Sequence, residues 1–522
     1  MRIRRAPPLP AGSHSGLDLQ LLVKCPGCGA RMSLDEGARA VRCASCREPY
    51  LVPPWQYPFA AVVNPAIDTT EGRRIARNFL RAGQHRATQV GRGQWRLLPF
   101  WRHRSAAFQW LSGERHGGPR QSTVDAERDP GTGTTGERAP TKAEFHDLAV
   151  QRLDLLFSAA DRERTLEEYQ PPAGMRAAYP LDSSVTAGAA LEPVQIDFAA
   201  ARQEAREEVE RRCAAGDRAQ VRRRRMTLVS EEMILIYLPF FTLEYHFRDE
   251  VHEVVVDGVG GTVTAHRMVL ATGGDPDAKP TGDSAPAPES GHAPLLLTAR
   301  CPACTAVIEP RSPAARVYGC VNCWIAWEVA GGQLRRVDQH LAVTEADGPT
   351  ARYLPFWNLD VEMEQGAHRA VFVPAFEGWQ VERLGHLGVH LTRAEPQYAT
   401  TSAAPGPTEG DHAHGAPALS VAVSVGRDDA ERLAWVVLGS LASANALAFD
   451  AFLSSSGIAV RSATLLWLPF RQSGLYLREP VSGALVRDLP VEIEMPVLES
   501  GAWTSEPAQR SGKPDLPSAS AA

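Results

Sequence analysis

Leu-Pro-Phe occurs four times in this chain, each time inside an apolar run: RLLPFW at 96–101, IYLPFF at 236–241, RYLPFW at 352–357 and LWLPFR at 466–471. Proline has no N–H to give to a sheet ladder and belongs on edges, strand ends or bulges. One such proline would read as a strained functional site. Four, at Pro99, Pro239, Pro355 and Pro469, read as a construction element, and an internal repeat sets the fold before any other signal does. After Pro239, Phe241, Leu243, Tyr245 and Phe247 alternate with Thr242, Glu244 and His246; after Pro355, Trp357, Leu359, Val361 and Met363 alternate with Asn358, Asp360 and Glu362. That is the period of a half-buried strand. Each proline is therefore expected to mark a bulge or bend, where a strand passes from burial on both faces to burial on one.

Helical patterns precede three of the copies. DTTEGRRIARNFLRAG (68–83) opens with Asp68 and Glu71 at capping-box spacing, DFAAARQEAREEVERRC covers 197–213, and DDAERLAWVVLGSLAS (428–443) repeats the spacing with Asp428 and Glu431. The third copy has a cysteine-rich segment in the helix's place and adds a strand and helix over 371–388. The fold class expected is α+β: two four-cysteine zinc ribbons and repeated helix plus antiparallel β-hairpin modules, joined by disordered linkers.

Three stretches rich in Gly, Pro, Ser and Thr, at 112–141, 273–293 and 396–418, divide the chain, and a similar tail starts at 503. Such composition buries too little apolar surface to offset chain entropy. The modules predicted between them are 18–111 (ribbon, helix and hairpin), 142–272 (helical segment, helix and hairpin), 294–395 (second ribbon and hairpin) and 419–502 (helix and hairpin). GTGTTG (131–136) lacks the Lys-Ser/Thr of a phosphate loop, and His412 and His414 stand in a linker rather than a metal-ligand pattern.

Eight of the nine cysteines form two matched sets: Cys25, Cys28, Cys43 and Cys46, then Cys301, Cys304, Cys320 and Cys323. A CxxC turn aims two thiolates at one point, and two such turns complete a tetrahedron, the geometry of Zn²⁺ with four sulfurs. Disulfides would need an oxidising compartment. A rubredoxin-like iron site uses the same knuckles with a longer separation, and a thioredoxin-type pair is a single CxxC. Two structural Zn²⁺ ions are the expectation, with Arg31, Arg42, Arg47, Arg300 and Arg311 near enough in sequence to offset thiolate charge. Cys213 falls on the stripe of Phe198, Ala201, Ala205 and Val209 and reads as a small buried hydrophobe.

The combination of CPxC knuckles at Cys25–Cys28 and Cys301–Cys304, the hairpin motif at Leu238–Phe240 and the VDG of Val256–Gly258 resembles a group of uncharacterised bacterial double zinc-ribbon proteins with repeated Leu-Pro-Phe(-Trp) hairpins. The resemblance implies no reaction. Arg47 and Thr305 stand where a glycine often follows such a knuckle.

Closed metal sites and the absence of a recognisable catalytic constellation point to a non-enzymatic zinc-binding scaffold or adaptor for protein partners. Phe100–Trp101, Phe240–Phe241 and Phe356–Trp357 are either contact anchors or core. The alternative is a zinc-ribbon nucleic-acid-binding protein using RIRR (2–5) and RRRRM (222–226), but the net charge of −6 works against it. Arg222–Arg225 read more simply as a solvated run beside a helix. An enzyme is the third reading; His103, His246 and His252 near predicted strands suit it in residue type only. The best membrane candidate, 433–449, falls short of the roughly 20 apolar residues a span requires and carries Ser440, Ser443 and Asn445. No signal-peptide h-region follows the basic N-terminus, so a cytoplasmic location is expected.

Overall fold

The computed structural model describes residues 4–5, 17–55, 59–83, 89–116, 142–160, 174–181, 189–215, 220–247, 250–269, 296–310, 312–343, 352–363, 366–376, 381–401, 418–419, 421–455, 457–474 and 476–487. The stretch 273–293, most of 112–141 and 396–418, the tail from 503, and with them GTGTTG, His412 and His414, lie outside the described residues.

Strands dominate. The four Leu-Pro-Phe triplets lie in the strands Gln89–His116, Gln220–Phe247, Arg352–Glu362 and Ala459–Ser473. These pair two by two. The first runs antiparallel to the second with Leu98 opposite Leu238, Pro99 opposite Tyr237 and Leu97 opposite Pro239. The third runs antiparallel to the fourth with Leu354 opposite Leu468, Tyr353 opposite Pro469 and Pro355 opposite Trp467. In both pairs the register is symmetric about the two leucines. One pair forms the centre of an 11-stranded mixed sheet and the other of an 8-stranded one.

The outer neighbour of each strand changes at its proline. Leu97 and the two residues before it bond Ala189–Leu191 in parallel, whereas Phe100 and its successors bond Lys142–Ser158 antiparallel. Around Pro239 the change is from parallel Ala60–Val63 to antiparallel Glu250–Asp257. Around Pro355 it is from Ala418–Leu419 to His368–Pro374, and around Pro469 from Gln339–Val343 to Tyr476–Arg478, with the same two senses. The carbonyls of Pro99, Pro239 and Pro355 accept from Ala159, Gly258 and Ala375 on that outer side. A strand residue's N–H and C=O point the same way, so the missing N–H faces the gap between two outer neighbours, where neither would use it. Gly258 is required there: a Cβ would stand 2.6 Å from the Pro239 carbonyl oxygen.

The bulge expected at each proline is therefore corrected. The strands pass through Pro99, Pro239, Pro355 and Pro469 in register, and the irregularities fall at Val221/Arg223, Val229/Glu232, Leu243/Tyr245 and Asp360/Val361. The aromatic residues that follow are core. Phe100, Trp101, Phe240, Phe241, Phe356, Trp357 and Phe470 are at most 1% exposed, and Phe100 stacks on Phe240 as Phe356 does on Phe470.

Helices cover the sheets. Thr69–Ala82 starts at Asp68, whose carboxylate accepts from the Glu71 N–H at 2.8 Å, and lays Ala76 and Leu80 on Phe241 and Leu243. Phe198–Ala215 packs beside Trp101. Arg427–Ala442 is capped by Gly426 without a side-chain bond; Asp428, expected as its cap, lies in its first turn. This helix stands between the sheets, with Ala430, Ala434 and Val437 on the second and Val436 on Phe108 and Trp110 of the first. Among the described residues no helix is long and apolar enough to cross a membrane, and the apolar run 433–449 is divided between Arg427–Ala442 and Ala446–Ser454. The segments 18–111 and 142–272 share the 11-stranded sheet, and the strand Gln89–His116 runs past the boundary at 111.

Candidate metal centres

Each four-cysteine cluster is assembled from two turns of one design. The first cysteine of each turn donates its N–H to the carbonyl two residues beyond the second: Cys25 to Ala30 at 2.8 Å, Cys43 to Glu48 at 3.0 Å, Cys301 to Ala306 at 2.9 Å and Cys320 to Ile325 at 2.9 Å. The residue after the second cysteine is left-handed in all four, with φ of 72° at Gly29, 60° at Arg47, 61° at Thr305 and 61° at Trp324. Only the first turn places glycine there, so three turns hold a side chain in a region L-residues disfavour.

The sulfurs of each cluster lie within 4.8 Å of one another. Cys25 and Cys46, and Cys28 and Cys43, are 3.7 Å apart; Cys301 and Cys323, and Cys304 and Cys320, are 3.5 Å apart. A disulfide needs about 2.05 Å. A tetrahedral ion with metal–sulfur bonds of about 2.3 Å has sulfur–sulfur edges of about 3.8 Å. The sulfurs fit one metal ion per cluster, and all nine cysteines are free thiols. Four sulfur ligands complete a tetrahedron, so such a site offers no open position to water or substrate.

Local groups prepare one thiol in each cluster to ionise. Burial opposes ionisation of Cys25, but the Tyr50 hydroxyl, 3.3 Å from its sulfur, and the Cys28 and Gly27 N–H groups outweigh it and lower the thiol to about 6. The Asn322 side chain and the Ala306 N–H lower Cys304 to about 6. Burial, with sulfur neighbours Cys301 and Cys304, holds Cys323 up at about 12. A thiolate present at neutral pH would give an arriving cation its first ligand, and the cation's charge would favour loss of the remaining thiol protons. No motif marks Tyr50 in the sequence; its only signal there is a tyrosine in the strand leaving the second turn.

The two clusters are joined. Leu297 and Thr298, leading into the second, pair with Leu51 and Tyr50, leaving the first. The Tyr318 hydroxyl donates to the Arg39 carbonyl at 2.8 Å, Arg300 pairs with Glu48 at 3.0 Å, and Arg42 pairs with Glu309. Arg42 and Arg300, expected to offset thiolate charge, thus bridge the two units, while Arg311 lies outside the described residues.

The remaining candidates are scattered. Cys213 is half-buried, its thiol raised to about 11 by burial and donating to Gln151 at 3.4 Å. His103 is fully buried 3.6 Å from Glu231, His252 lies 3.2 Å from Glu250, and His246 is exposed. Arg222–Arg225 lie in the strand Gln220–Phe247 rather than beside a helix. Arg222 pairs with Glu114, Arg223 donates to the Asp450 carbonyl at 2.7 Å, and Arg225 donates to the Ser455 carbonyl at 2.6 Å and sits 3.6 Å over the Trp435 ring.

No protein-family model, no curated protein and no solved structure matches this chain.

Proposed function

We propose that this protein is a non-catalytic scaffold or adaptor in which two structural Zn²⁺ ions, one in each four-cysteine cluster, lock two sheets into one platform for protein partners. The observation that carries this reading is the junction at Leu297–Thr298 and Pro49–Leu51, which makes the strand leading into the second metal unit part of the first unit's sheet. Both units then act as zinc ribbons, and four thiolates per ion leave the metal a structural role. The matching registers about Leu98/Leu238 and Leu354/Leu468 support a duplicated building plan, as in the bacterial double zinc-ribbon group the sequence resembles. Eight unpaired metal-ligand thiols suit a reducing cytoplasm.

With the aromatic pairs buried, this reading does not use the Leu-Pro-Phe triplets as contact anchors. Nucleic acid is the weaker alternative, because Arg222, Arg223 and Arg225 are engaged within the molecule. Affinity purification of the zinc-loaded and chelator-treated chain from its native host tests the proposal. Partners retained only by the loaded form are expected; no specific partner in either form, or salt-sensitive recovery of nucleic acid alone, would overturn it.

A further inference from the structure

A cavity of about 600 Å³ opens between the two sheets, within the size range of small-molecule sites. One wall is apolar, formed by Phe108, Val150 and Val229 of the first sheet and Val373, Leu433 and Val436 of the second half. The other end carries Arg39, Arg104, Arg152 and Arg316 with Asp18, Asp154, Glu232 and Asp429.

Most of those carboxylates are already committed. Asp154 takes Arg102 on both oxygens, at 2.9 and 2.7 Å. Asp429 accepts from the Ser230 N–H at 2.8 Å, the Ser230 hydroxyl at 3.0 Å and Arg316 at 2.9 Å. Glu232 pairs with the Arg39 Nη2. The cations are less fully used. The Arg39 side chain is 5% exposed, yet its Nε and Nη1 have no hydrogen-bond partner. Leaving buried donors unpaired costs about 1–3 kcal/mol, and both nitrogens are closed off from solvent. Burial, joined by the charges of Arg316 and Arg104, pulls the Arg39 guanidinium down to about 10. Arg152 lines the cavity, is exposed, and has no partner among the described residues.

We propose that this cavity binds a small amphipathic monocarboxylate, its carboxylate accepting from Arg152 and its apolar body lying against Phe108, Val229 and Val436. Four arginines against four acids leave the wall formally neutral, which favours one negative charge over the two of a phosphate monoester. The apolar wall excludes short hydrophilic acids by offering them nothing to bury. Because both sheets contribute, such a ligand would stabilise their docking and make the platform ligand-responsive. The inference stands apart from the zinc scaffold reading, since the cavity is defined without the metal.

Calorimetric titration of the full chain with sodium decanoate, decyl phosphate and 1-decanol tests this. Decanoate is expected to bind one-to-one, with the other two at least tenfold weaker. Arg152→Gln is expected to weaken decanoate several-fold while leaving decanol unchanged. Leu433→Trp, checked for unchanged metal content and circular dichroism, is expected to block decanoate by filling the cavity. Decanol binding as tightly as decanoate, no saturable binding by any probe, or decanoate binding unaffected by either variant would overturn the proposal.

Discussion

The two large sheets share one crossing and differ in its arms. In the first, Gln89–His116 and Gln220–Phe247 are 28 residues each; in the second, Arg352–Glu362 and Ala459–Ser473 are 11 and 15. The crossing itself is shared: leucine faces leucine, phenylalanines stack, and each proline stands where a parallel neighbour gives way to an antiparallel one. The turns that follow match as well. Asp257 accepts from Val259 and Gly260, closing at Gly261, and Glu479 accepts from Val481 and Ser482, closing at Gly483. The extra length of the first sheet lies in the stretch that receives the second half. Phe108, Trp110 and Val229 seat Val436 and Phe449, and Arg223 and Arg225 bond the end of Ala446–Ser454. A fixed crossing is what the proline demands; the arms are free to lengthen, and here the length became an interface.

The metal units offer the largest perturbation. Cys301→Ser is expected to unfold the second four-cysteine unit and, through Leu297–Leu51 pairing, to loosen the first. Metal content should fall from two ions per chain to one or fewer, with proteolysis appearing near both units. Loss of one ion with the first unit fully protected would show that the junction does not couple them.

The crossings are compared by truncating equivalent leucines. Leu238 and Leu468 are both 0% exposed, and each replaced by Ala should cost about 3 kcal/mol in denaturant unfolding. A large cost in one sheet and a small one in the other would break the equivalence. Across the interface, Asp429→Asn should cost about 2 kcal/mol, because the Asp429 carboxylate accepts from both Ser230 and Arg316 at 2.8–3.0 Å. An unchanged midpoint would mean the seam is held by Val436 and Phe449 alone.

The smallest effect separates the four metal turns. Thr305→Gly relieves a side chain at φ 61° and should gain up to about 1 kcal/mol, whereas Gly29→Ala should lose a similar amount at φ 72°. Thermal melts of the metal-loaded chain read both.

The ligands of both clusters were legible because CxxC spacing is a local property. The Leu-Pro-Phe triplets were equally visible, but not their role. A proline signals a lost N–H without saying which side it faces, and that depends on partners such as Gly258 and Ala159, 19 and 60 residues away. The same limit misplaced Arg222–Arg225: four arginines in a row carry no period, and their strand is fixed by pairing with residues 110–112 and by contacts with Asp450 and Ser455. Arg39 could not be found at all. It is one arginine in a chain whose 55 basic residues include only the lysines 24, 142, 279 and 513, and its burial is created by the second half closing over it.

The central claim is that each four-cysteine cluster holds one structural zinc ion, and X-ray absorption at the metal edge combined with metal analysis tests it most directly. The account predicts two zinc ions per chain, each with four sulfur ligands at about 2.3 Å and no nitrogen or oxygen ligand. Iron in place of zinc, an open position filled by water, or metal-free protein that keeps its fold would contradict it.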